Sequence, residues 1–167
     1  MAIRLNADDF WEFSLALYCR EAVAQACLSL QDRRGADVNL ILAICWLARS
    51  GYAVSDLALE NALGAVASWS DTILKPLRAV RRQLGGFPDV PVADRQSIKH
   101  GLLSVELEAE KIAQQKIVTA LAEHLPPLSA DPPRLLAGIG LDLYLGRLFT
   151  EAGEQDSSDR DTIIAAL

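Results

Sequence analysis

The nine residues Leu40–Ala48, LILAICWLA, carry no charge and no turn former. Wound into a helix at about 100° per residue, they leave no polar stripe. Such a helix in a water-soluble chain must be enclosed by other helices, each with an apolar side of its own. The run is far too short to span a bilayer, which takes about 20 apolar residues. Gly35 is a helix stop and Asp37 an N-cap, so RRGA reads as a tight turn before a central helix at 38–50. The expectation is an all-α bundle built around that helix.

The rest of the chain supplies the enclosing elements. No strand-like alternation is visible, and Ala and Leu, good helix formers, dominate. With 167 residues, 51% of them hydrophobic, one domain with a substantial core is expected. Asn6 and Asp9 resemble a capping box opening helix 1. Helix 2 covers about 22–32, and no strong breaker separates it from helix 1. Helix 4 runs from the Ser55 cap to about Ser68, and helix 5 spans Trp69–Leu84 with a kink or restart at Pro76. Trp69, Ile73, Leu77, Val80 and Leu84 form the expected buried face of helix 5. Helix 6 runs from about Ala93 to His124. Pro126, Pro127, Pro132 and Pro133 then form a stiff connector to a helix at about 134–149, weakened by Gly138, Gly140 and Gly146. The stretch GEQDSSDRD reads as mobile. The expectation is a bundle core of six to seven helices over about 1–125, followed by a proline-rich connector, an extra helix and a mobile tail over 126–167.

Charge narrows the function classes. The net charge is −6, which argues against general nucleic-acid binding and against adsorption to anionic membranes. Cys19, Cys27 and Cys45 are odd in number and form no C-x-x-C pair, so buried reduced thiols are expected rather than disulfides or a zinc ribbon. MAIRLNADDF has acid where a secretory signal needs an apolar core, so a cytoplasmic protein is expected. There is no P-loop, no G-x-G-x-x-G after a strand and no G-x-S-x-G. His100 and His124 are ordinary helix residues, so no catalytic residue, metal or cofactor is expected.

Five polar residues resist explanation as plain surface. Asn39 sits in the first turn of the apolar helix and serves either the helix N-terminus or buried partners. Arg78 and Arg81 in PLRAVRR are neighbours on helix 5, three residues apart. Glu106 and Glu110 in ELEAE lie between two apolar stripes of helix 6. Ile98, Leu102, Val105, Ala109 and Ile112 form one stripe; Leu103, Leu107 and Leu121 form the other. Two carboxylates inside an apolar arc need a cation or a shared proton, and the arginines are the obvious donors. An Arg–Glu network joining helices 5 and 6, with Asn39 or Asp37 at its edge, is therefore expected. It reads as a structural cross-link, as a ligand or partner site, or as a carboxylate pair able to hold Mg²⁺ through oxygen, although spacing identifies no third acidic ligand.

The blocks FWEFSL at 10–15, ACLSLQD at 26–32, GADVNL at 35–40, PLRAVRR at 76–82 and ELEAE at 106–110 occur in order. With Trp46-Leu47 they resemble a family of short, all-helical proteobacterial proteins known only as a domain of unknown function. The resemblance covers about 8–125. It implies a bacterial cytosolic protein with no assigned activity. Ala22 departs from it where glycine is favoured, which puts the break between helices 1 and 2 in doubt.

Two functional readings follow. In one, the chain is a non-catalytic binding or adaptor module that recognises a protein partner or small anionic ligand through Asn39, Arg78, Arg81, Glu106 and Glu110. In the other, it is a metal- or acid/base-assisted enzyme acting on a phosphorylated or other anionic substrate. The oligomeric state is open, a homodimer included.

Overall fold

The structure, a computed structural model, describes residues 5–167. The start of the stretch read above as lacking a signal, residues 1–4, lies outside them. Eight α-helices are present among the described residues: α1 Ala7–Tyr18, α2 Glu21–Arg34, α3 Val38–Arg49, α4 Asp56–Trp69, α5 Lys75–Gln83, α6 Val92–Ala122, α7 Pro133–Leu148 and α8 Glu154–Ala165. None is long and apolar enough to cross a membrane.

α3 is the centre, as its sequence requires. Every residue from Val38 to Ala48 is buried. α1, α2, α6 and α7 all pack against it. Trp46 of α3 stacks on Phe10 of α1 with ring centroids 5.1 Å apart, an offset arrangement that aromatic quadrupoles favour. The α2–α3 turn is the one expected. Gly35 takes the left-handed conformation at φ 71° that side chains with a Cβ avoid, and Asp37 caps the Asn39 N–H at 2.8 Å.

Helices 1 and 2 are separate. The chain leaves helix at Cys19 and Arg20, and Arg20 is extended at φ −75°, ψ 115°. Ala22 therefore falls in the first turn of α2 rather than in the break.

Pro76 produces a subtler effect than a kink. α4, a π-helical turn at Ser70–Leu74 and α5 follow one another without leaving helix. In the π turn the Lys75 N–H donates to the Ser70 carbonyl, five residues back. The proline ring has no N–H and crowds the carbonyl four residues back, and a π turn just before it is a known accommodation of such strain. The extra residue also turns the downstream face by about 100°. The expected buried face of helix 5 is corrected accordingly. Leu74 is buried, Trp69, Ile73, Leu77 and Leu84 are half-buried, and Val80 is exposed; α5 has no fully buried residue. Arg78 and Arg81 instead lie on its half-buried side.

α6 behaves as two halves. From Glu106 onward it packs along α4 and α3, burying Ala109, Ala113, Ile117, Val118 and Leu121. α6 also meets α5 and the short 3₁₀ turn Leu84–Gly86, and from Val92 to Val105 no residue of it is fully buried. The two apolar stripes expected here are therefore not core. Ile98, Leu103, Val105, Leu107 and Ile112 are exposed, and only Ala109 and Leu121 are buried. The helix is longer than the bundle it packs on, so periodicity alone does not report what it faces.

The C-terminal segment is also helical. The stretch read as a mobile tail forms α8, which lies against α2 and α7. The Asp156 carboxylate accepts from Arg33 at 2.6 Å and from Arg34 at 2.5 Å, and Asp159 accepts from Arg33 at 2.7 Å. Asp156 also accepts from the Gly153 N–H at 2.9 Å, closing the helix start. The charges that suggested solvation by water are solvated by two arginines of α2. Gly140 of α7 has a packing role: a Cβ there would lie 2.6 Å from Ile44 and 2.9 Å from Val54. The missing side chain lets α7 approach α3.

Candidate functional site

The expected network exists, and it is larger than the five residues singled out. Arg81 on α5 donates two bonds to Glu106 on α6, Nε to Oε1 at 2.6 Å and an Nη to Oε2 at 3.0 Å. This forked geometry is the strong form of an Arg–carboxylate pair. It favours the charged guanidinium and raises the Arg81 pKa. Arg78 binds Glu110 and also donates to Gln31 of α2 at 3.0 Å.

Asn39 bonds side chains, not the helix N-terminus. Asp37 already satisfies the backbone N–H of Asn39. The Asn39 amide is thus free to donate to Glu110 through Nδ2 and to accept from Gln114 through Oδ1 at 3.0 Å. Gln114 Nε2 also donates to Ser14 Oγ of α1 at 3.1 Å. Asp37 stands at the edge of this set. Burial, with Glu110 nearby, pushes its carboxyl up from the ordinary value.

All five candidate residues therefore line one groove, in two hydrogen-bonded groups, Arg81–Glu106 and Arg78–Glu110–Asn39, on α3, α5 and α6. Sequence reasoning missed Gln114, Ser14 and Gln31. Gln114 had a signal: Glu106, Glu110 and Gln114 repeat every four residues and form one polar stripe on α6. Ser14 had one too, since it sits between Phe10 and Leu17 on the buried face of α1. Trp69 adds an anchor, with its indole N–H donating to the Ala109 carbonyl at 2.9 Å. That bond fixes α6 one residue from Glu110.

The network floors a groove of about 240 Å³ between α1 and α2 on one side and α5 and α6 on the other. Its walls are apolar: Trp11 and Leu15 of α1, Leu28 of α2, and Leu103 and Leu107 of α6. Lys111 lies 5.4 Å over the Trp11 ring at its rim. Leu15, Leu28, Leu103 and Leu107 are 50%, 40%, 44% and 47% exposed, so four leucines of three helices face the same opening without an apolar cover.

The chemistry available is limited by pairing. Both oxygens of Glu106 are held by Arg81, and those of Glu110 by Arg78 and Asn39. Among the described residues no group of three or more His, Cys, Asp or Glu is placed to hold a metal ion. Cys27 and Cys45 are buried free thiols away from the groove lining, and burial pushes Cys27 up to about 12. Neither is a thiolate at neutral pH.

Fold and groove define an all-α single-domain bundle with a self-neutralised polar floor beneath an open apolar cleft. The chain belongs to the family described as protein of unknown function DUF2390, whose model matches residues 9–117. That span contains most of α1, all of α2–α5, most of α6 and every residue of the network. No curated protein and no solved structure matches the chain.

Proposed function

We propose that the chain is a non-catalytic binding module whose groove receives a helical segment of a protein partner. The observation that carries this reading is the contrast between floor and walls. The floor's ionised groups are already paired with one another, so they cost little to cover. The walls leave four leucines in water, and covering them gains about 25 cal/mol per Å² of apolar area. A groove with an apolar lining, open between helix pairs, suits an amphipathic helix laying two or three apolar side chains into it. In this role the Arg–Glu–Asn–Gln network is a scaffold that fixes the groove's width.

The enzymatic alternative asks Glu106 or Glu110 to act as a base or metal ligand. Each would first have to leave an arginine, and a candidate base must reach its proton. A small anion at the same floor would have to displace the carboxylates that already neutralise Arg78 and Arg81. The proteobacterial origin and cytoplasmic location implied by the resemblance belong with this proposal, and the three free thiols support a reducing compartment.

The test is a comparison of the native chain with the Leu28→Asp/Leu107→Asp variant. Partners that co-purify with the native chain are identified by mass spectrometry, then titrated as purified proteins by calorimetry. A partner whose affinity falls at least tenfold in the variant, with helical circular dichroism unchanged, supports the groove. Undiminished affinity in the variant overturns it.

A further inference from the structure

A second pocket lies beyond the groove, between α5 and the protruding half of α6. It has a volume of about 350 Å³ and opens to solvent. Its charged lining is entirely cationic: Arg81 and Arg82 from α5, and Arg95 and Lys99 from α6. Arg95 and Lys99 are four residues apart and so share a face of α6. In a chain of net charge −6, this is a concentrated exception.

The pairing of these cations is uneven. Arg81 is committed to Glu106. Arg82 meets only Asp32 of α2, an exposed pair at 3.4 Å. Arg95 and Lys99 have no ion-pair partner among the described residues, although Asp94 is adjacent in sequence to Arg95. The Nε–H of Arg95 is buried and has no hydrogen-bond acceptor. Buried donors are rarely left unsatisfied, and each such group asks for an unplaced acceptor. Like charges facing each other across a helical hairpin also repel; an anion between them removes that cost, and a turn of the Arg95 side chain toward it would give the buried Nε–H an acceptor.

We propose that this pocket binds the diphosphate or triphosphate group of a small-molecule ligand. Three cations not fully neutralised by the chain match an oligophosphate better than a single phosphate, and the volume accommodates more than one tetrahedral group. Arginine forks at 82 and 95 suit two phosphate oxygens each, while Lys99 contributes a point charge. The site adjoins the leucine-walled groove, with which it shares Arg81 and Arg82, but Arg95 and Lys99 line it alone, and it does not depend on the partner reading.

Calorimetry on the full chain with sodium pyrophosphate, at constant ionic strength, tests it. Saturable one-to-one binding is expected, weakened at least tenfold in Arg95→Ala/Lys99→Ala. Arg95→Lys keeps the charge but loses the buried Nε–H, and an intermediate loss is expected. A neutral change of the groove wall, Leu28→Asn/Leu107→Asn, should leave pyrophosphate binding as in the native chain, since it adds no charge beside Arg81 and Arg82. Absence of saturable binding, equal affinity for sulfate or for inorganic phosphate, or unchanged affinity in the double cation variant would each overturn the proposal.

Discussion

Arg81 and Glu106 differ in how far each can fall back on water. The Arg81 side chain is 26% exposed and that of Glu106 only 6%. Removing the carboxylate leaves a guanidinium that solvent can reach. Removing the guanidinium leaves a buried carboxylate with nothing to bond. Glu106→Gln should therefore cost about 1 kcal/mol, the scale of a net hydrogen bond. Arg81→Met should cost about 3 kcal/mol, the scale of a stranded buried charge. Adding Glu106→Leu to Arg81→Met should recover most of that loss, since an apolar pair of similar volume is often as stable as the ion pair. Urea denaturation of the three variants measures it; equal costs for the two single changes would show that neither partner is effectively buried. The pair was legible in the sequence because two carboxylates in an apolar arc demand a cation, and α5 offered two arginines at helical spacing. The amides were harder to see. Gln114, Ser14 and Asn39 bear no charge, so nothing in the sequence forces them to find one another across seventy or more positions.

At the scale of elements, glycines separate by what they face. Gly140→Ala gains helix propensity of up to about 1 kcal/mol. It also drives a methyl group into Ile44 and Val54, and overpacking typically costs about 1–3 kcal/mol. The net expectation is a lower melting temperature for Gly140→Ala. Gly64→Ala in α4 meets nothing within 4 Å and should raise it. Both variants stabilised alike in a thermal melt would mean that α7 is not seated on α3. The docking of α8 has a pH signature. Arg34, burial-opposed but dominant, together with the Gly153 N–H and Arg33, holds the Asp156 carboxyl well below the usual range. The unfolded group titrates near about 4. The unfolded chain therefore takes up the proton first as pH falls. The contribution of Asp156 is fully present above that value and is lost progressively below it. Amide exchange of α8 should accelerate as the pH-corrected rates are followed from 6 to 3, and Asp156→Asn should show the fast rates already at pH 6. The central helix, its cap and its turn were readable because composition and local chemistry agree there. α8 was not, because a run of acids reads as solvated until the arginines of α2 are known to lie opposite.

At the scale of the whole molecule, stability is unevenly distributed, and both proposed sites use the looser end. α3 is buried on every side, and its amides open only when the bundle does. The arm formed by α5, the 3₁₀ turn and α6 up to Val105 has no fully buried residue. Its inner end is tied down by the Arg78 and Arg81 pairs and by the Trp69–Ala109 bond. On the N-terminal side of Glu106, little apolar burial supports it. Segments with few buried contacts open locally at a fraction of the global free energy. Hydrogen exchange followed by mass spectrometry should therefore show residues 92–104 exchanging well before 106–121 of the same continuous helix, with the boundary at Glu106. Arg81→Met should shift that boundary toward Ala109, because the outermost tie is gone. Pyrophosphate should slow exchange in 92–104 without affecting α3, since a ligand in the cationic pocket would bridge α5 and α6 of the arm and touch nothing in the core. Uniform protection along all of α6 would mean that the arm is held by contacts other than these ties. The leucine wall at 103 and 107 would then be a rigid surface rather than one that adjusts to the segment it receives.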